Sequence, residues 1–212
     1  MAEKGSAADP LPALIGLLRE SYGEIAWWPG GPEEVMIGAI LTQQTKWENV
    51  ERALDNLNVL DCCSLEGVLS LSLSELEEAI RCTGFFRIKS QRLRALSMAV
   101  RDVGGRSVLE KMSLSELREW LLSIHGVGPE TADSILCYAL NRSSYVIDAY
   151  TERICGCAGI PEKGAALKAR FEEVLVPENK EYRLCHAWCV EYAKDYCGAK
   201  RCNECIVKNL NE

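Results

Sequence analysis

A glycine-rich turn between two predicted helices is the first stretch of this chain whose residue types and spacing could bind an anion. Gly126 and Gly128 flank Val127, and Pro129 stands where the second helix would begin. Proline in a first helical turn loses no hydrogen bond, and glycines bring bare amides close to a ligand at the positive helix end. Such a turn can hold a nucleic-acid phosphate without reading the base. A plain turn between two core helices would have the same sequence.

Cysteines are the second group that could do chemistry. The chain contains 11 of them. The N-terminus lacks the pattern of an export signal, so we expect reduced thiols that serve as small core residues or as metal ligands. Core packing is predicted for the six in apolar stretches: Cys62, Cys63, Cys82, Cys137, Cys155 and Cys157. The other five lie in the last predicted helix and the tail, where Cys202 and Cys205 beside Cys197 indicate a metal site.

The elements that position these residues are predicted to be helical, because apolar residues recur at a spacing of three and four along nearly the whole chain. Two Ser-Leu-Ser-Glu-Leu segments, starting at Ser72 and Ser113, predict capping boxes. No convincing strand pattern occurs. We therefore expect an all-α protein with helices near 11–22, 33–43, 47–58, 64–70, 73–82, 87–102, 114–123, 130–140, 148–158, 164–173 and 181–195.

Composition limits the class of protein. The 212 residues are 48% hydrophobic and 26% charged with a formal net charge of −7, which indicates a soluble globular protein of one large domain or two small interleaved ones. No apolar run reaches the length of a membrane helix, so we expect a cytoplasmic protein. The acidic balance argues against nucleic-acid binding by bulk charge alone. A local basic stretch fits either a solvated helix face or one that faces DNA: Arg81, Arg87, Lys89, Arg92, Arg94 and Arg101.

Four segments carry a resemblance to a known family: Ile124–Ala132, which is followed by Val146–Arg153, and in addition Ile37–Val50 and Gly84–Leu93. With a likeness that extends over about residues 30–200, the chain resembles the helix-hairpin-helix DNA glycosylases of the endonuclease III superfamily. The resemblance implies a two-lobed all-α fold, with a central domain at 30–145 that carries the hairpin at about 121–140. The second lobe would combine 1–29 with 146–212 and carry a cysteine-rich loop at 185–205. The implied partner is double-stranded DNA with a damaged base, bound by a monomer, nucleoid-associated if the source is bacterial.

The resemblance also implies site residues. Asp148 stands 20 residues after Gly128, where the family has an aspartate that stabilises positive charge on the sugar as the base leaves. A helix N-cap is the alternative interpretation of Asp148. Gln43 or Gln44 would fill the gap left by a flipped base, with Gln43 the better match. DNA contacts are implied for the hairpin: Gly126, Val127, Gly128 and Thr131.

One difference from the bifunctional members of the family indicates the subfamily. Bifunctional members have a lysine two residues after the second hairpin glycine, and this chain has Glu130 there. A carboxylate cannot form the Schiff base, which predicts a monofunctional enzyme. The chain is most similar to bacterial 3-methyladenine glycosylases, which implies base stacking on Trp28 and Trp47 and a nearby Lys194. The alternatives are a glycosylase with lyase activity through a lysine such as Lys194, and a non-catalytic DNA-binding module.

The same family often carries a 4Fe-4S cluster held by four cysteines. Here the loop between the first two cysteines is two residues shorter than the family's, and Asn211 replaces the fourth cysteine. The expected ligands are Cys197, Cys202 and Cys205 with Cys189 or another nearby residue. Zinc in the same place and an empty loop are the two other possibilities.

Overall fold

The computed structural model describes residues 9–28 and 30–211, without the side chain of residue 211. Within this part of the chain every regular element is a helix, which confirms the all-α prediction. The expectations for residues 1–8, for Pro29 and for the Asn211 side chain lie outside the described residues. The α-helices are α1 Pro10–Tyr22, α2 Pro32–Leu41, α3 Trp47–Val59, α4 Leu65–Ser70, α5 Leu73–Ala79, α6 Phe86–Asp102, α7 Arg106–Leu109, α8 Leu114–Ser123, α9 Pro129–Ser134, α10 Ala149–Cys157, α11 Gly164–Val174 and α12 Asn179–Tyr192.

Shorter helical segments extend or connect these helices. A π-helical segment, Ile135–Ala139, continues α9, and another, Ala193–Gly198, continues α12. Single 3₁₀ stretches occupy Arg81–Thr83 and Ile206–Asn211. The sequence predicted one uninterrupted helix at each π segment, because a widened turn leaves the spacing of apolar residues nearly unchanged.

Both predicted capping boxes form. The Ser72 hydroxyl accepts from the amide of Glu75 at 3.3 Å, while Glu75 accepts from the amide of Ser72 at 2.9 Å. Ser113 and Glu116 repeat the arrangement at the start of α8. These local hydrogen bonds begin two of the helices where the sequence places them.

One compact unit comprises Trp28–Arg142. Its central element is α2, in which every residue from Val35 to Leu41 is buried. This helix packs against α3, α6, α9 and the Ile135–Ala139 segment. The loop between α8 and α9, the turn after α2 and the start of α6 all belong to this unit.

The other compact unit combines Met1–Trp27 with Ser143–Glu212, of which residues 9–27 and 143–211 are described. Its central element is α12, which packs against α1 and α10 and is buried along most of its length. Trp188 is 1% exposed, and its indole donates to the carbonyl oxygen of Gly23 at 2.7 Å. This packing fixes the two helices that carry Asp148 and His186.

Several sequence expectations need correction. Lys89 does not belong to a solvated or DNA-facing basic surface, because it is only 1% exposed. Of the six cysteines expected in the core, Cys137 and Cys155 are buried, whereas the others are half-buried. The short helix α7 was not predicted. No helix in the described ranges is long and apolar enough to cross a membrane.

Candidate active site and nucleic-acid interface

In the loop between α8 and α9, the backbone conformation at Gly126 and the space around it favour glycine over any residue with a side chain. Gly126 has φ +89°, and a Cβ built there would lie 2.2 Å from Cγ of Arg92. Val127 is buried, which anchors the middle of the loop. Gly128 is exposed, and nothing stands within 4 Å of a Cβ built on it. The loop therefore presents a bare backbone at Gly128, directly before Pro129 begins α9.

Gln43 is hydrogen bonded to this loop. Its Nε2 donates to the carbonyl oxygen of Gly126 at 2.9 Å and to Oγ1 of Thr131 at 3.0 Å, and its Oε1 accepts from Arg92. Three predicted DNA contacts, Gln43, Gly126 and Thr131, thus come together in one network. Thr131 is buried in this network, so its hydroxyl faces Gln43. The neighbouring Gln44 is exposed and has φ +53°.

Phe85 is an exposed aromatic residue that the sequence analysis did not single out. It is 63% exposed and has φ +46°, a conformation uncommon for a bulky side chain. Its turn is joined to the turn after α2, because Oγ1 of Thr45 donates to the carbonyl oxygen of Thr83 at 2.7 Å. The feature of the sequence that could have indicated this exposed ring is Gly84 followed by two aromatic residues. A ring held outward in a strained backbone is typical of a residue kept for contact with a partner.

Lys89 connects the same two turns from inside. Its Nζ donates to the carbonyl oxygens of Leu41 at 2.8 Å and Thr83 at 3.0 Å, and it also contacts Oγ1 of Thr45. Burial, together with the charge of Arg92, lowers the pKa of Lys89 to about 8. The Lys89 ammonium therefore holds together the two turns that contain Gln44 and Phe85.

Trp28 and Trp47 are in direct contact. Their ring centroids are 5.3 Å apart with an interplanar angle of 76°, and Tyr138 lies 5.7 Å from Trp28. Gly38 makes room for this ring, because a Cβ there would lie 2.7 Å from Cζ2 of Trp28. A flat base cannot lie between two indoles that meet edge to face at this distance. Trp28, Trp47 and Tyr138 are defined here as the aromatic cluster.

Asp148 caps α10 and is largely enclosed. Its Oδ1 accepts from the amide of Thr151 at 2.7 Å, and its Oδ2 lies 3.6 Å from Nε2 of His186. The Asp148 side chain is 13% exposed. Burial raises the pKa of Asp148, but the nearby imidazole of His186 and the hydrogen bond from the Thr151 amide lower it by more, so the pKa lies below its usual value. The site holds an ionised carboxylate in a nearly closed environment.

Lys194 contacts Trp27, which in turn contacts His186 beside the Asp148 carboxylate. Its Nζ lies 5.2 Å from the ring centroid of Trp27, and Trp27 meets His186 edge to face at 6.3 Å. The Lys194 ammonium also pairs with Oε1 of Glu191 at 2.8 Å and is 41% exposed. Trp27, which the sequence analysis did not single out, is thus a tryptophan in contact with His186 and Lys194.

The cysteines expected to bind a metal fall into two places: Cys197, whose pKa is raised by burial, is close enough to Cys202 and Cys205 for their charges to raise it further, whereas Cys189 has Cys185 as its neighbour. Cys189 lies 3.7 Å from the hydroxyl of Tyr145, whereas Cys205 lies 3.5 Å from the hydroxyl of Tyr192. Cys197 is half-buried and Cys202 is exposed. Within the described ranges, no three His, Cys, Asp or Glu side chains are placed to hold a metal ion.

Comparisons with known proteins agree with one another. The family model described as HhH-GPD superfamily base excision DNA repair protein matches residues 37–177. A protein of Methanocaldococcus jannaschii named "Putative DNA repair glycosylase" is 40% identical over 207 residues, 93% of each chain. Endonuclease III of Buchnera aphidicola is 27% identical over 184 residues, 84% of this chain and 81% of that one. The structure of H. pylori 3-methyladenine DNA glycosylase bound to 1,N6-ethenoadenine superimposes with a TM-score of 0.76 at 28% identity, covering 86% of this chain and 96% of that one.

Proposed function

Because the chain belongs to the HhH-GPD superfamily of base excision DNA repair proteins, we propose that it is a monofunctional DNA glycosylase that releases an alkylated purine. The observation that carries the proposal is Asp148, an enclosed carboxylate whose pKa is held below its usual value. A fixed negative charge of this kind stabilises a sugar that becomes positively charged as its base departs.

The proposed reaction is hydrolysis of the N-glycosidic bond. The bond between C1′ and the base nitrogen breaks, and its electron pair leaves with the base. Asp148 stabilises the cationic sugar, water adds to C1′, and the proton that water loses is released to solvent or to the departing base. The product is an abasic site in an unbroken strand. A cationic alkylated base needs little further activation to leave, which suits a site whose main group is a carboxylate.

Glu130 supports the monofunctional assignment. It is exposed at the start of α9, at the position where the lyase members have their nucleophilic lysine. A carboxylate cannot condense with C1′ to an imine, and without that imine strand cleavage by β-elimination has no covalent intermediate. Lys194, with its ammonium over Trp27, is the one residue we consider for an alternative lyase reaction.

DNA binding is assigned to the loop of Gly126, Val127 and Gly128, whose exposed end can approach a phosphate. We propose that Gln44 and Phe85, both exposed beside this network, enter the duplex where the base leaves it, because an extruded base requires a group that occupies the vacated stack. Gln43 acts by bracing the loop through its hydrogen bonds with Gly126 and Thr131. This assigns to Gln44 the role that the sequence resemblance favoured for Gln43.

The aromatic cluster is proposed as the base-binding surface. Alkylated purines are cationic or poorly paired, so they leave the stack cheaply and favour the face of an aromatic ring. The name of the H. pylori relative, a 3-methyladenine glycosylase bound to 1,N6-ethenoadenine, supports this substrate class. Because Trp28 and Trp47 touch, one of the two rings has to turn before a base can stack between them.

Base release from duplex oligonucleotides with single lesions tests the proposal. The lesion set comprises 3-methyladenine, 1,N6-ethenoadenine, hypoxanthine, uracil, thymine glycol and 8-oxoguanine, with strand cleavage scored before and after hot alkali. We expect cleavage only after alkali and only with alkylated purines. Asp148→Asn should abolish release while the dissociation constant for DNA stays within about threefold, and Asp55→Asn, an exposed aspartate of α3, is the matched control.

Two other outcomes identify the alternatives. Cleavage without alkali, with adducts trapped by borohydride and lost in Lys194→Met, would establish a bifunctional enzyme. DNA binding without release of any base would establish a non-catalytic binding module.

A further inference from the structure

We propose that His186 is a positioning residue that holds Asp148 in the orientation and the ionised state that base release needs. The inference rests on the proposed function, because it concerns the same carboxylate. The structure places His186 against the one side chain to which a catalytic role is assigned.

The two oxygens of Asp148 are held from different directions. Oδ1 accepts the amide of Thr151 at 2.7 Å, and Oδ2 faces Nε2 of His186 at 3.6 Å. A carboxylate held at one oxygen still turns about its Cβ–Cγ bond, whereas contacts at both oxygens fix its plane. The His186 contact is longer than a direct hydrogen bond, as contacts in active sites often are before substrate is bound.

His186 cannot easily leave this position. Its side chain is 8% exposed, and the edge-to-face contact with Trp27 has an interplanar angle of 90°. An apolar residue of α12 would satisfy packing at this buried position. The imidazole brings the polar atom Nε2 to 3.6 Å from the Asp148 carboxylate at this buried position, which an apolar side chain could not do.

The charge of Asp148 also acts on Cys155 of α10, which in turn is influenced by Glu152 on α10, Arg170 on α11 and Cys185 on α12. Tyr145, before α10, contacts Cys185, and Lys194 lies over the Trp27 ring. Burial raises the pKa of Cys155 to about 12, and it also raises the pKa of Tyr145, so neither carries charge near neutral pH. Against the effect of burial, His186 and Thr151 are the groups that lower the pKa of Asp148.

Removal of His186 should raise the pKa of Asp148. With His186 present, Asp148 stays ionised to lower pH than an ordinary aspartate. With His186 removed, burial opposes ionisation with less compensation, and the pKa of Asp148 rises. The acid limb of base release against pH should then move to higher pH, and the plateau should fall because the carboxylate turns more freely.

Single-turnover base release by His186→Leu, His186→Gln and wild type, measured from about pH 3 to pH 9 so that the range includes the acid limb of the wild type, tests the inference. We expect His186→Leu to move the acid limb to higher pH and to lower the plateau about tenfold, because the ionised carboxylate is then less well oriented. His186→Gln, whose amide can still donate to Oδ2, should recover most of the plateau. The dissociation constant for DNA should not change in either variant. Tyr182→Phe, which removes a polar atom from the same buried helix, is the control and should keep the wild-type profile.

A carboxyl titration followed by ¹³C NMR provides a readout that does not require activity. Asp148 is identified by the signal missing from Asp148→Asn, and its apparent pKa should rise in both His186 variants, more in His186→Leu. Folded variants with the wild-type pH profile and an unchanged Asp148 pKa would overturn the inference. A wild type that releases no base, but whose Asp148 pKa rises on loss of His186, would overturn the proposed function and leave the His186–Asp148 coupling in place.

Discussion

The side-chain amide of Gln43 donates to the carbonyl oxygen of Gly126, 83 residues further along the chain. This bond, with the one to Thr131, joins the turn after α2 to the loop between α8 and α9. Two segments that are remote in sequence thereby become one hydrogen-bonded surface. The effects of substitutions in either segment should therefore appear in both.

Gln43→Ala should destabilise the protein and weaken DNA binding. The change leaves the carbonyl oxygen of Gly126 and the guanidinium of Arg92 without Gln43, which should cost about 1–3 kcal/mol of unfolding free energy. Urea denaturation and fluorescence anisotropy with a labelled duplex measure the two effects. Gln44→Ala should leave stability within about 0.5 kcal/mol of wild type but slow base release. Equal stability of the two variants would contradict the bracing role of Gln43.

Gly126→Ala and Gly128→Ala should separate folding from binding. At Gly126 a methyl group meets Arg92 and the backbone has φ +89°, so we expect a loss of about 1–3 kcal/mol in unfolding free energy. At Gly128 the space is open, so stability should be nearly unchanged while a methyl group obstructs the approach of a phosphate. Thermal denaturation and DNA affinity of both variants check this. Unaltered DNA affinity in Gly128→Ala would remove Gly128 from the interface.

Lys89 should make stability depend on pH in the alkaline range. Its pKa is lowered from 10.5 to about 8, so between these values the native state binds fewer protons than the unfolded state. Stability therefore gains from this residue as pH rises through that window, and the gain is absent below it. Lys89→Met should abolish that part of the slope. The measurement is the difference in unfolding free energy between wild type and variant from pH 7 to 10.5, and a constant difference would disprove the prediction.

The cysteine tail should not require a metal. Asn211 replaces the fourth cysteine, and Cys205 contacts the hydroxyl of Tyr192, which also accepts from the amide of Val207 at 3.4 Å. Protein purified without oxygen should contain well under one equivalent of iron or zinc, and a chelator should not alter its melting temperature. Elemental analysis and absorbance near about 400 nm measure this. About four irons per chain would show that the thiols rearrange around a cluster.

Features of the fold that depend on neighbours in sequence were predictable. The capping boxes at Ser72 and Ser113 are local, and so are the apolar spacings that identify most helices. The hairpin glycines and Asp148 were recognised from short motifs. Each of these features is determined by residues that are close to one another in the sequence, so it can be recognised without the structure.

What depended on distant contacts was not predictable. The buried position of Lys89 requires the turn after α2, and the network that ties Gln43 to Thr131 spans 88 residues. The left-handed backbone that exposes Phe85 has no composition signal beyond Gly84. His186 shows its relation to Asp148 only when α12 is packed beside α10.

The contact between Trp28 and Trp47 has a spectroscopic consequence. Two indoles with centroids 5.3 Å apart and planes at 76° form a chiral chromophore pair, and Tyr138 lies beside it. The strong far-ultraviolet transitions of such a pair couple to give an exciton couplet in the circular dichroism spectrum, which a rotation of either ring would alter. The protein therefore carries an intrinsic optical probe of its aromatic cluster, and the entry of a base can be followed in real time without labelling either molecule.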